Sequence, residues 1–213
     1  MRKPVQQRTL QTRARIVAAA QQLVAESGHE ALRIDDLVER AGVGKGTFFA
    51  HFGDKDGLMD WLVGQELSEL MDAAQARRPP VTVEQLVERL QPLLAFAASE
   101  RCVFDIILRR SGAAAVEEIG AIATALDRLV HLVAGWIAAG GFRQDAPVAV
   151  LAEGVQAFAM QALALNFCAL NNGVSVRQRL LSYLRPWLQA PVAGAGAAAA
   201  RARHAHRAAE EGA

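Results

Sequence analysis

Two cysteines in 213 residues, at 102 and 168, are too few for a disulfide scaffold, and no CxxC or Cys/His cluster suggests structural zinc. Both lie in apolar helical stretches and read as buried, reduced thiols. A persuasive run of alternating β-branched residues is absent, which argues against a sheet. Long uninterrupted apolar runs are missing as well. The most apolar stretch, Ala146 to Leu170, is broken by Glu153, Gln156, Gln161 and Asn166, a polar load that a membrane span rarely carries. The N-terminal MRKPVQQRTLQTR has charge but no apolar core behind it, so it does not read as a signal peptide. No metal site, cofactor or membrane partner is expected. The chain is expected to be soluble and cytoplasmic.

Net charge is also small, at +1, so no whole-molecule basic field announces a nucleic-acid binder. The average conceals an asymmetry. Residues 1–55 hold nine Lys or Arg against six acids, and the first fifteen residues hold five bases and no acid. A basic end on a near-neutral body is a reason to look for an anionic partner at that end. Hydrophobic residues make up 52% of the chain and charged residues 21%, a globular composition that suits one domain or a small head on a larger body.

Helical periodicity predicts an all-α chain. A first helix is expected from about Thr12 to Ser27, capped by Thr12 and closed by Gly28. Short helices follow at 34–41, with Asp35 and Asp36 in the first turn, and at 45–52. Asp54 then caps a helix that stops near Arg78, before Pro79-Pro80. Further helices are expected at 82–98 (bent or split by Pro92), 101–110, 114–139, 147–171 and 175–189. Residues 191–213 hold eleven alanines and no Leu, Ile, Phe, Trp or Met, so that tail reads as frayed helix or disorder. The expected organisation is an arm and small head at 1–55, a larger helical body at 56–190, and a flexible tail at 191–213.

Two short helices joined through Gly42 read as helix-turn-helix, with Leu37, Ala41, Val43, Phe48 and Phe52 locking the crossing. The second helix leaves Lys45, Gly46, Thr47, Phe49, Ala50 and His51 exposed. No acid occurs from Val43 through Gly53, as a surface lying against phosphates requires. Such a helix fits the major groove of B-DNA.

The stretch from Gly28 to Leu58, GHEALRIDDLVERAGVGKGTFFAHFGDKDGL, resembles the DNA-binding head of the TetR family of transcriptional regulators, the close match covering about 12–62. The resemblance implies a three-helix head, a helical body that binds a small effector, and a homodimer formed by the last two helices. It places recognition contacts on Lys45, Gly46, Thr47, Phe49 and His51, and a phosphate-gripping lysine at Lys55. The chain departs from the family pattern at Arg33, where Ser or Thr is usual and a longer cationic reach is gained. It departs also at Val38, at Gly44 in place of serine, and at Phe49 in place of tyrosine. Lys45 is a candidate for reading guanine O6 and N7, with a phosphate contact as the alternative. Arg13 and Arg15 are candidates for backbone contacts or are ordinary solvated charge.

Rival motifs fare worse. Gly42-Val43-Gly44-Lys45-Gly46-Thr47 has Glu39 where a phosphate loop needs its first glycine, and a helix precedes it where a strand is needed. His204 and His206 are two ligands in a tail. No catalytic grouping stands out, so an enzyme is not expected.

In the body, Leu151, Val155 and Ala159 with Leu181, Leu184 and Leu188 are the candidate dimer interface. A small apolar or amphipathic effector would lie among Phe96, Phe104, Leu108 and Trp136, with Met160 and Phe167. His131 and Gln161 would orient it. The expected function is a ligand-released repressor on a palindromic operator of double-stranded DNA. Alternatives are a DNA-binding dimer without effector and a helical enzyme carrying this head.

Overall fold

The computed structural model describes residues 3–111 and 119–189. Among the described residues nine helices and no strands occur: α1 (Lys3–Ser27), α2 (Ile34–Ala41), α3 (Lys45–Phe52), α4 (Lys55–Gln75), α5 (Val83–Ala97), α6 (Arg101–Arg110), α7 (Ala121–Ala138), α8 (Val148–Asn166) and α9 (Val176–Leu188). The all-α reading therefore stands. Helix α1 starts earlier than expected, and Thr12 lies inside it rather than capping it. Gln, Arg and Leu between residues 6 and 11 are good helix formers and carry the helix through that threonine. Helix α5 is continuous across Pro92, whose ring faces solvent. Part of the helix expected at 114–139 and the alanine-rich tail, with His204 and His206, lie outside the described residues.

Local chemistry sets the boundaries in the head. Gly42 takes the left-handed conformation at φ 61°, ψ 43°. Its N–H bonds to the Glu39 carbonyl, and that of Val43 bonds to Val38 at 3.0 Å, which closes α2 as a Schellman turn. Asp54 caps α4 by accepting from the Gly57 N–H at 2.7 Å. A Cβ at Gly57 would overlap the Phe52 carbonyl oxygen, so only glycine lets α4 begin this close to the end of α3.

One apolar core runs from Ile16, Leu37 and Phe48 in the head to Leu151, Leu180 and Leu188 in the body. Helix α4 joins the two, packing on α7, which packs on α8, which packs on α9; α5 closes against α9 and α6. Helices α7 and α8 are long and apolar enough to cross a membrane by length and mean hydropathy, and each packs between neighbouring helices of the body. The N-terminus of α7 is capped from outside. Asp60 of α4, itself buried, accepts from the Ala121 N–H at 2.8 Å and the Ile122 N–H at 3.2 Å.

Candidate nucleic-acid interface

Phe48 is fully buried and stacks on Phe52 at 5.8 Å between ring centroids, so these two residues fix the roll of α3. That roll exposes Lys45, Gly46, Phe49 and Ala50 and half-exposes Thr47 and His51. Phe49 is 45% exposed, a large apolar ring at the surface. A Cβ at Gly46 or Gly44 would meet nothing within 4 Å, so neither is glycine for lack of room. At Gly46 the missing side chain leaves the backbone open to close approach by a partner.

Lys45 is not a free cation. Its Nζ stands 2.5 Å from Asp35 Oδ1 in the first turn of α2. That contact brings the start of α2 beside the start of α3, and with it Arg33, the exposed N-cap residue of α2, whose side chain makes no cap hydrogen bond. Lys55 opens α4 and is half-buried. His51 is tied through its backbone, its carbonyl oxygen accepting from Arg13 Nη1 at 2.9 Å. The same guanidinium lies 4.3 Å from the centroid of Phe52 and 5.9 Å from that of Trp61. Arg13 is therefore a tie between α1 and the end of α3 and not ordinary solvated charge. Arg15 is exposed.

The body residues are not where the sequence pattern put them. Leu151, Val155, Ala159, Leu181, Leu184 and Leu188 are each at most 8% exposed in the single chain, as the seam of α8 and α9 with their own neighbours. A side chain already buried has no surface left for a second copy, so they are withdrawn as interface contacts. The outward stripe of α8 is instead Val150, Glu153, Ala157, Gln161 and Ala164. Half-buried aromatics flank it: Phe158 packs on Tyr183 at 5.3 Å and on Trp187 at 5.6 Å.

The candidate effector residues do not converge either. Leu108 is 52% exposed, and Gln161 belongs to the outward stripe of α8. Phe104 is buried and stacks on Phe167 at 5.4 Å, while Met160 is half-buried in the core. Trp136 is buried under Arg89 and, with exposed His131, borders a groove of about 440 Å³ near Arg77 and Pro79. Phe96 borders a different groove, of about 310 Å³, between α1 and α4. Among the described residues no group of three or more His, Cys, Asp or Glu is placed to hold a metal.

Two contacts that sequence reading did not foresee take part in the geometry, that of Asp35 with Lys45 and that of Glu100 beneath the head. Asp35 had a local signal, a carboxylate in a first turn. Glu100 contacts residues some seventy positions away, and no local pattern marks it.

Residues 16–61 match the family model described as bacterial regulatory proteins, tetR family. The chain is 30% identical over 63 residues to the uncharacterized HTH-type transcriptional regulator YvdT of Bacillus subtilis, covering 30% of this chain and 32% of that protein. It is 29% identical over 128 residues to the HTH-type transcriptional repressor BepR of Brucella suis, covering 57% and 59%. The matches thus span from a third to three fifths of those relatives' length. In fold, the chain is similar to Thermus thermophilus FadR, a TetR family transcriptional repressor solved with lauroyl-CoA, at TM-score 0.60 and 22% identity over 82% of this chain and 92% of that one. FadR of Bacillus subtilis, solved with stearoyl-CoA, gives TM-score 0.56 and 15% identity over 82% and 97%. The helix-turn-helix head, residues 16–61, thus matches the DNA-binding region of the tetR family of bacterial regulatory proteins.

Proposed function

We propose that the chain is a repressor that docks the head of residues 1–55 on a two-fold related operator as a homodimer and is released by a small apolar or amphipathic effector in the body of residues 56–190. The observation that carries DNA docking is α3 itself. It is held by a left-handed turn at Gly42, presents Lys45, Gly46, Thr47 and Phe49, and bears no carboxylate from Val43 through Gly53. Lys45 reaches base edges or phosphate, and Arg33 and Lys55 contact phosphate. The acyl-CoA molecules bound to the two FadR proteins support an amphipathic effector class. Apposed outward stripes of α8, flanked by Phe158 and Tyr183, make the dimer and set the spacing of two heads. The protein acts in the cytoplasm, and catalysis is no part of its role.

Genome-wide mapping of bound DNA tests this. Discrete sites with a palindromic motif are expected, and the genes beside them point to the effector. Uniform, sequence-independent recovery would overturn the operator reading.

A further inference from the structure

Glu100 stands at the N-cap of α6 with extended backbone, φ −139° and ψ 144°. An acidic N-cap ordinarily turns its carboxylate onto the free N–H groups of its own first turn. This one makes no such bond. Its Oε1 accepts from the His29 backbone N–H at 3.0 Å and faces the His29 ring Nδ1 at 2.7 Å, and its Oε2 accepts from the Glu30 N–H at 3.0 Å. A carboxylate only accepts, so Nδ1 carries the proton of the ring contact. The body's α6 thereby closes the turn between α1 and α2, the segment from which the helix-turn-helix departs.

Other features complete the seat. Gly28 has φ +83°, and a Cβ there would stand 3.0 Å from Glu100 Oε2, so a side chain would press on the carboxylate. Phe96 of α5 meets the His29 ring edge-on at 5.9 Å. Cys102 Sγ lies 3.8 Å from Oε2, where burial and then the Glu100 charge push the thiol up, so it stays protonated beside the carboxylate. Next to the clamp, the groove of about 310 Å³ lined by Val24, Leu62 and Phe96 separates α1 from the body. On that side the polar clamp adds to the packing of Val24, Leu62 and Phe96 around the groove.

We propose that Glu100 is a positioning residue: its hold on the turn at 28–30 fixes the attitude of the DNA-binding head relative to the body. This rests on the regulatory reading above and names the contact through which the body reaches the DNA.

Spin labels at Glu39 on α2 and Ala95 on α5, both exposed, report the head-to-body distance in the full chain carrying Cys102→Ser and Cys168→Ala. One narrow distance is expected with Glu100 present. Glu100→Ala should broaden or shift it, with helical circular dichroism unchanged. Glu100→Gln should fall between, because its amide donor faces a donor N–H. Operator affinity should drop by roughly tenfold in Glu100→Ala, within the usual range of coupling between sites. Affinity for random duplex, which needs no fixed attitude, should hold. An unchanged narrow distance in Glu100→Ala overturns the proposal, as does equal loss on operator and random DNA. Should that variant fold poorly, Glu100→Gln decides by the same two readouts. If the parent chain binds no DNA at all, the repressor reading fails, while the distance measurement still decides the clamp.

Discussion

Lys45, a proposed DNA contact, is paired with Asp35, and the strength of that pair sets how a substitution at Asp35 must behave. The two side chains are 59% and 70% exposed at a separation of 2.5 Å. An ion pair this open to water contributes about 0–1 kcal/mol. Lys45 therefore gives up at most about 1 kcal/mol when it turns to a base or phosphate, a factor of roughly five in affinity. Asp35→Asn abolishes that cost and removes a negative charge from beside the groove-facing helix, while Asp36 still complements the dipole of α2. Affinity for the mapped operator should rise by up to roughly fivefold per head at low salt and by less at high salt, where both effects are screened. Fluorescence anisotropy on the operator duplex, run with Asp35→Asn, Lys45→Ala and the double variant, separates the two contributions. In the Lys45→Ala background the gain should shrink to the repulsion alone. A fall in affinity for Asp35→Asn would refute the reasoning, because the carboxylate would then be holding the ammonium in its reading position.

Asp60→Ala strips two N–H groups of α7 of their acceptor, and the chain should lose about 2–4 kcal/mol, seen as a melting point lower by roughly 5–15 °C. Ala157→Glu, on the outward stripe of α8, should yield a folded monomer by sedimentation, whereas Leu184→Glu should unfold the chain, since Leu184 is fully buried. A dimeric Ala157→Glu variant would move the seam elsewhere. Partial burial alone would raise the Glu100 carboxyl, but the His29 N–H, the His29 ring and the Glu30 N–H outweigh it and bring it from 4.5 to about 2. A depressed acid contributes stability that is complete above the unfolded value and vanishes as pH falls through the folded one. The advantage of the parent chain over Glu100→Gln should thus be constant above 4.5 and fade from there toward about 2, with His29, Glu30, Cys102 and Lys55 as the other charged or titratable groups around the clamp. Denaturation midpoints across that range check it, and a gap that persists at the acid end counts against it.

The head was legible because its signals are local. Gly42 and Asp54 act within a few residues, and α2 and α3 begin and end where the pattern put them. The start of α1 was not, because a threonine caps only when its backbone is extended, and at Thr12 it is helical. Leu151 and Leu184 show the limit of periodicity in the body. It finds the apolar faces of α8 and α9 but not their partners, and α7 and α5 of the same chain cover them. Leu108 and His131 failed likewise, since composition does not tell an inward from an outward turn of helix. The pairing of Glu100 with His29 joins positions 71 residues apart, a relation only the fold creates.

Helix α6 has ten residues, well below the length at which a helix persists alone in water. Its N-cap side chain, which would ordinarily stabilise its first turn, is committed to the head. The first turn of α6 is consequently left without a side-chain cap while Glu100 grips the head. Undocking the head frees Glu100 to swing back to its own N–H groups, so docking competes with self-capping. Amide exchange at residues 101–104 would then report the head's state from inside the body, slowing where release of the head lets Glu100 cap that turn.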